Sequence, residues 1–173
     1  MTAHPYGFPE AFEAACAFHR APLQYPVNVS RLLEAGQSYK IYDVSSQTYN
    51  AQFAAGDTAA RILPRRAWTL YNPQLDTYLI VWNGGRPASA IRHSVAHELG
   101  HIVLNHQRGW PTDPVLAKRQ CERAADAFAL YLLAPFQEVR TLCGTGHYNA
   151  RLVACYFGIP YRIANSLQRY FAQ

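Results

Sequence analysis

The sequence predicts an α+β protein in which a small antiparallel sheet packs against a pair of metal-binding helices, with additional helices at both ends. Three observations carry that expectation. Aromatic and β-branched residues cluster between Ser38 and Trp82, and the apolar spacing becomes helical from Ala88 onward. The string His97-Glu98-Leu99-Gly100-His101 falls inside that helical stretch. At 173 residues, half of them apolar, the chain has the size of one domain with a sizeable core. The expected organisation is a single domain over 1–173, with N-terminal helices over 1–37, the sheet and metal helices over 38–135, and C-terminal helices over 136–173.

Element by element, Pro9 to His19 and Asn28 to Ala35 read as short helices, the second closed by Gly36 just past its end. Strands follow at Tyr39 to Val44, Trp68 to Tyr71 and Thr77 to Trp82. Asn72-Pro73-Gln74-Leu75-Asp76 has hairpin-turn chemistry, so the last two strands are expected to pair antiparallel. After the loop Asn83 to Pro87, Ile91, Val95, Leu99 and Ile102 mark a helix running to about His106. Asp113 as N-cap and Pro114 at the first helical position open a longer helix through Leu133, stopped by Pro135. Pro135 to Leu142 reads as a further short helix. Tyr148 to Phe157 and Tyr161 to Phe171 form two more, joined by Gly158-Ile159-Pro160.

Charged residues are only 16% of the chain and no segment is repetitive, which excludes disordered and solenoid classes. The start, MTAHPYGFPEAF, lacks the basic and then apolar stretches of a secretory signal, and no run of about 18 apolar residues exists to span a membrane. A cytoplasmic location and no membrane partner are expected. Cys16, Cys121, Cys143 and Cys155 are scattered and read as reduced, mostly core thiols. The net charge of +5 rests on 14 arginines and two lysines; beyond Glu138 no acid occurs, while Arg140, Arg151, Arg162 and Arg169 remain. That basic end reads as a solvated face, with nucleic acid or an acidic partner as the alternative.

The chemistry concentrates in the His-Glu-x-x-His string. Positions four apart on a helix differ by about 40° in direction, so His97 and His101 face one point, as a tetrahedral zinc site requires. Glu98, one step round, has the position of a general base toward water activated by the metal. Seven histidines and six glutamates in random order would produce the string with a probability of roughly 1%, and its helical setting makes accident rarer still. Zinc needs a third protein ligand. The extended signature with a third histidine fails, because Leu104 and Gln107 stand at its glycine and histidine positions. His106, nine residues past His97, extrapolates to the far side of the helix, capping its end or facing solvent. Glu122 on the following helix is the better candidate for third ligand. Asp126, sharing its helical face, would accept the other N–H of a ligand histidine. The bland alternative is a pair of solvated acids, against which the apolar neighbours Ala124, Ala125, Phe128 and Ala129 weigh.

These motifs together resemble the ImmA/IrrE metallopeptidases of bacteria and their mobile elements. Arg92 through His101 is similar to that family's active-site helix, preceded by an apolar strand ending in Asn83, and Glu122 through Pro135 is similar to its second block. Three positions depart: Ala124 stands where the family often has a further glutamate, Asp126 where it has asparagine, and His93 where it has an aromatic or bulky apolar residue. Ala124 leaves Glu122 as the only glutamate of the block. The resemblance spans roughly Thr77 to Phe171 and implies a minimal zincin-like fold. It also implies Zn2+ as cofactor, and cleavage of a helix-turn-helix repressor, an antirepressor activity that relieves repression of a mobile element or stress response.

Further expectations concern substrate and alternatives. An extended peptide could pair along a strand such as Thr77 to Trp82, and His147 or Tyr148 could supply a donor for the tetrahedral intermediate. The residues from Leu152 to Phe171, with Arg151, Arg162 and Arg169, also suit a DNA-binding helix-turn-helix, although Pro160, Ile163, Leu167 and Phe171 suit packing against the core. A third reading is an inactive relative that uses the zinc site structurally, or a surface for protein binding; the intact Glu98 and the absence of zinc-finger cysteine spacing oppose it.

Overall fold

The computed structural model describes residues 4–18, 24–34, 40–53, 66–106, 114–144 and 147–171. Element order is α1 (Pro9–Phe18), α2 (Val29–Glu34), β1 (Lys40–Ser45), α3 (Ser46–Phe53), β2 (Ala67–Asn72), β3 (Thr77–Trp82), α4 (Ala88–Val103), α5 (Pro114–Leu133), α6 (Phe136–Cys143), α7 (Ala150–Phe157) and α8 (Tyr161–Leu167), with a 3-10 turn at Gln168–Tyr170. The α+β class holds. Gly36 and Asp113, read from sequence as a helix stop and an N-cap, lie outside the described residues.

The sheet corrects the sequence reading in one respect: it is mixed, not antiparallel. Its order is β1-β3-β2, with β2 antiparallel to β3 and β1 parallel to it. The four residues 73–76 leave the chain no choice but to reverse, and Asn72 Oδ1 accepts from the backbone N–H of Gln74 and Leu75 to hold the turn. Between β1 and β3 the chain instead makes a long excursion through α3 and β2, which returns it to the same end of the sheet. Helix α3 was not expected from sequence, because Ser-Gln-Thr-Tyr-Asn-Ala-Gln-Phe is polar and lacks a clear apolar stripe. Its start signal was there to read: Ser45 Oγ accepts from the Thr48 N–H at 3.0 Å, as an N-cap does.

Strand β3 is the centre of the sheet, with Ile80 and Val81 fully buried. Ile41, Tyr78 and Ile80 join Val95, Leu99 and Ile102 of α4 in one core. Behind α4 lies α5, and the two cross where Gly100 meets Ala125. A Cβ on Gly100 would stand 3.1 Å from both Ala125 Cα and the Phe128 ring, so a side chain there would force the helices apart. Helix α1 packs on α5, and Tyr6 ties the N-terminal segment down by donating from its hydroxyl to the Ala134 carbonyl at 2.8 Å.

On the other side of α4, the Arg92 guanidinium donates to the Val27 and Gly158 carbonyls. Gly158 sits at φ +60°, the left-handed C-cap of α7, and any side chain on it would collide with Arg92 and Pro26. The C-terminal helices are part of the same core: Val153, Phe157, Ile159, Ala164 and Leu167 are buried, and Phe171 stacks on Phe136 and Tyr148. The four cysteines are free, as expected, but none is buried, so the expectation of mostly core thiols is corrected. No helix among the described residues is long and apolar enough to cross a membrane.

Candidate metal centre

Helix α4 places the side chains of His97 and His101 one turn apart on a single face, with the two Nε2 atoms 3.1 Å apart. Helix α5 brings Glu122 opposite them. One carboxylate oxygen lies 3.4 Å from His97 Nε2 and the other 3.7 Å from His101 Nε2. A tetrahedral zinc with bonds of about 2.0–2.1 Å holds its ligand atoms roughly 3.3 Å from one another. The two imidazole nitrogens stand near that separation, each lies close to it from one of the two Glu122 oxygens, and one donor atom from each of the three side chains lies within 4.8 Å of the others, so they group as a possible metal site. Their chemistry, two imidazoles and one carboxylate, fits zinc.

Asp126, one turn after Glu122, accepts from the His97 Nδ1–H at 2.8 Å. That contact fixes the tautomer that leaves the His97 Nε2 lone pair facing the cleft. Burial acts to lower the His97 pKa, but the Asp126 hydrogen bond and the charges of Asp126, Glu98 and Glu122 outweigh it and leave it raised. Burial likewise acts to raise Asp126, and the His97 contact leaves it lowered. One premise of the sequence argument is corrected. Ala124, Ala125, Ala127, Phe128 and Ala129 are buried while Glu122 and Asp126 remain half-exposed, so the acids line an open cleft and are not intruders in the core.

His106 does not lie on the far side of the helix. Its Nδ1 stands 2.9 Å from the Nδ1 of His101. Angular extrapolation fails because the helix ends at Val103 and Asn105 takes φ +57°. The Asn105 N–H bonds the Ile102 carbonyl and the His106 N–H bonds the His101 carbonyl, the two contacts of a Schellman close, which folds the second residue past the cap over the third-last of the helix. Asparagine just before His106 was the signal that could have revealed it. Burial and the neighbouring histidine charges push both His101 and His106 down to about 4.

Glu98 has a partner from the sheet that the sequence reading also missed: Thr69 of β2 donates its hydroxyl to Glu98 Oε2 at 2.6 Å. Two adjoining cavities, about 460 and 480 Å3, share Trp68, His97, Glu98 and Glu122. Arg66 and His93 lie in the first, and His101, His106 and Lys118 in the second. The strand beside the cleft is thus β2, not β3. Both sides of β3 are occupied by neighbours, which rules out the expected pairing of a peptide along Thr77 to Trp82. Tyr148 is no donor to the site either: its hydroxyl donates to the Ala164 carbonyl, and its ring stacks on Phe171. His147 is exposed and lines neither cavity.

The family model of the IrrE N-terminal-like domain, peptidase family M78, matches residues 47–166. It starts well before Thr77, where the sequence resemblance was expected to begin, and takes in all but the first residue of α3 and the whole of β2. No curated protein matches the chain significantly. Among solved structures, a Mycobacterium tuberculosis transcriptional regulator superposes with a TM-score of 0.62 at 14% identity, over 92% of this chain and 46% of that one. At that identity the likeness is one of fold, and the chain spans less than half of that protein. With the family model matching more than half of its length, and with the possible His-His-Glu site inside the match, the chain belongs to the ImmA/IrrE family of metallopeptidases.

Proposed function

We propose that the protein is a zinc-dependent endopeptidase that cleaves a specific partner protein, a helix-turn-helix transcriptional repressor, and so acts as an antirepressor. The observation that carries the hydrolytic reading is the convergence of His97, His101 and Glu122, one donor atom from each within 4.8 Å of the others, with Glu98 beside them. In this reading those three side chains hold the ion and Asp126 orients His97. The chemistry a zinc ion supplies there is Lewis acidity toward water and toward a scissile carbonyl. Glu98 takes the proton of the attacking water and passes it to the leaving amine. Thr69 keeps one Glu98 oxygen engaged, which fixes the direction of the other.

An extended peptide has a place to lie. β2 pairs with β3 along one side only, and no strand among the described residues covers its other side. Backbone pairing there would lay a substrate across Thr69 and past Glu98. The choice of a repressor as substrate rests on family membership. The alternative, DNA or protein binding with a structural zinc, draws on Arg151, Arg162 and Arg169, all exposed near the exposed Leu152, Tyr156 and Tyr161.

Elemental analysis after stripping and zinc readdition tests the centre. About one zinc per chain is expected from a three-ligand site, lost in His97→Ala and Glu122→Ala and kept in Glu98→Gln. Incubation with candidate repressors should then give fragments with the wild type and none with Glu98→Gln. Zinc binding indifferent to Glu122 would remove it as third ligand. Salt-sensitive operator binding without proteolysis would favour the DNA-binding reading.

A further inference from the structure

His93 is 7% exposed, one turn before His97 on α4, and it lines the first cavity beside Arg66, Ser94 and Glu98. Among the described residues its ring makes no hydrogen bond, although every other histidine of the α4 face does. A buried imidazole with neither nitrogen satisfied is costly, of the order of a lost hydrogen bond or more. Such a group, at the wall of a cleft, is explained by a polar partner that enters with the substrate. Arg66 lies at the start of β2 in the same cavity, exposed, with no ion pair among the described residues. Arg162 of α8 adds positive potential at the same ring. The Asp126 charge acts on the ring in the opposite sense and also feels Arg66, and one of its oxygens is taken by His97.

We infer that His93 and Arg66 form a carboxylate-recognising subsite, which selects substrates carrying an acidic group beside the scissile bond. A carboxylate accepts the His93 N–H with one oxygen and meets the Arg66 guanidinium with the other. Burial holds the His93 ring at a pKa of about 4, so near neutral pH it is uncharged and offers one donor and one acceptor. Glu98 and Glu122 line the same cavity, and a zinc ion held by His97, His101 and Glu122 would offset their negative charge. The inference rests on the peptidase reading. It leaves two sources for the carboxylate, an Asp or Glu side chain or a peptide C-terminus, and the first is the one that suits an endopeptidase.

The test uses one blocked peptide scaffold with Glu, Gln, Leu or Lys at each position flanking the cleaved bond, plus matched peptides ending in a free or amidated C-terminus. The zinc-loaded full chain is expected to prefer Glu over Gln at one position by about tenfold in kcat/KM, the size of one charge-assisted contact. Arg66→Gln and His93→Leu should each bring that ratio near one; the ratio is taken within each variant, so a general change in rate does not enter it, and metal content of each variant checks that the centre is intact. A preference for free over amidated ends, with no side-chain preference, would overturn the side-chain assignment. A Glu preference that survives both variants and disappears in Lys118→Gln would overturn the subsite and move it to the second cavity. Binding to zinc-loaded Glu98→Gln, read by calorimetry, separates the two levels. If no peptide is cut but acidic peptides bind in an Arg66- and His93-dependent way, carboxylate recognition by the two residues stands, while its role beside a scissile bond falls with the peptidase reading. If peptides are cut with no acid preference in rate or binding, only the subsite falls.

Discussion

The two histidines of the centre sit one turn apart on the same helix, yet their surroundings differ in kind. His97 is backed by a carboxylate, Asp126, and its pKa is raised; His101 is backed by another imidazole, His106, and its pKa falls to about 4. The carboxylate favours the charged ring, whereas a second histidine offers no negative charge to balance burial. Two identical side chains in one motif are therefore unequal. The Asp126 half is held electrostatically, and the His106 half is held by the geometry of a helix end.

The largest effect is expected where the halves meet. Glu122 reaches both histidines, so Glu122→Ala should strip most zinc from both halves at once, measured as metal per chain after dialysis. Next, Asp126→Ala should weaken zinc affinity by about tenfold to a hundredfold, the usual cost of losing an orienting partner, and His106→Ala by about tenfold or less. Competition with a chromogenic chelator would read both. Equal losses would erase the contrast between the halves. Gly100→Ala sharpens the comparison differently. It gains up to about 1 kcal/mol of helix propensity but presses α4 away from Ala125 and Phe128. Zinc affinity should fall even where thermal stability of the metal-free protein does not.

The smallest effect is in the pH dependence of the metal-free protein. His97 is raised and Asp126 lowered, so their pair stabilises between the unfolded Asp value near 4 and the folded His97 value, and the stability is lost on either side of that window. Asp126→Ala should thus cost most between about pH 4 and 6.5. His101 has the opposite sign. Its depressed pKa means the unfolded chain binds the extra proton first, so stability falls as pH drops from 6.5 toward about 4, by up to about 1.4 kcal/mol per unit. His101→Ala should flatten that fall, and denaturant titrations across the range would show it.

Much of this was legible in the sequence, for identifiable reasons. The spacing of His97, Glu98 and His101 on an apolar helix, the hairpin around Pro73, and the shared face of Glu122 and Asp126 all depend on residues near one another in the chain. What escaped depends on turns or on tertiary pairing. The parallel alignment of β1 with β3 is set by a long excursion whose path no local pattern specifies. Thr69 meets Glu98 only because β2 lies over α4. His106 was misplaced by extending a helix three residues too far, although Asn105 marked its end. Whether His93 is satisfied by the protein is a tertiary property that no spacing encodes.

The Arg92 clamp has a consequence for how the molecule comes to be made. This one guanidinium, on the helix that carries the candidate metal site, joins carbonyls contributed by Val27 and Gly158, contacts 65 and 66 residues away in the chain. During synthesis the helix can form, and can meet α5, well before Gly158 has left the ribosome, but its second tether arrives only with the C-terminal helices. A nascent chain would therefore carry the His-Glu-x-x-His helix for some time on a half-anchored scaffold, and the centre would reach its final rigidity among the last steps of folding.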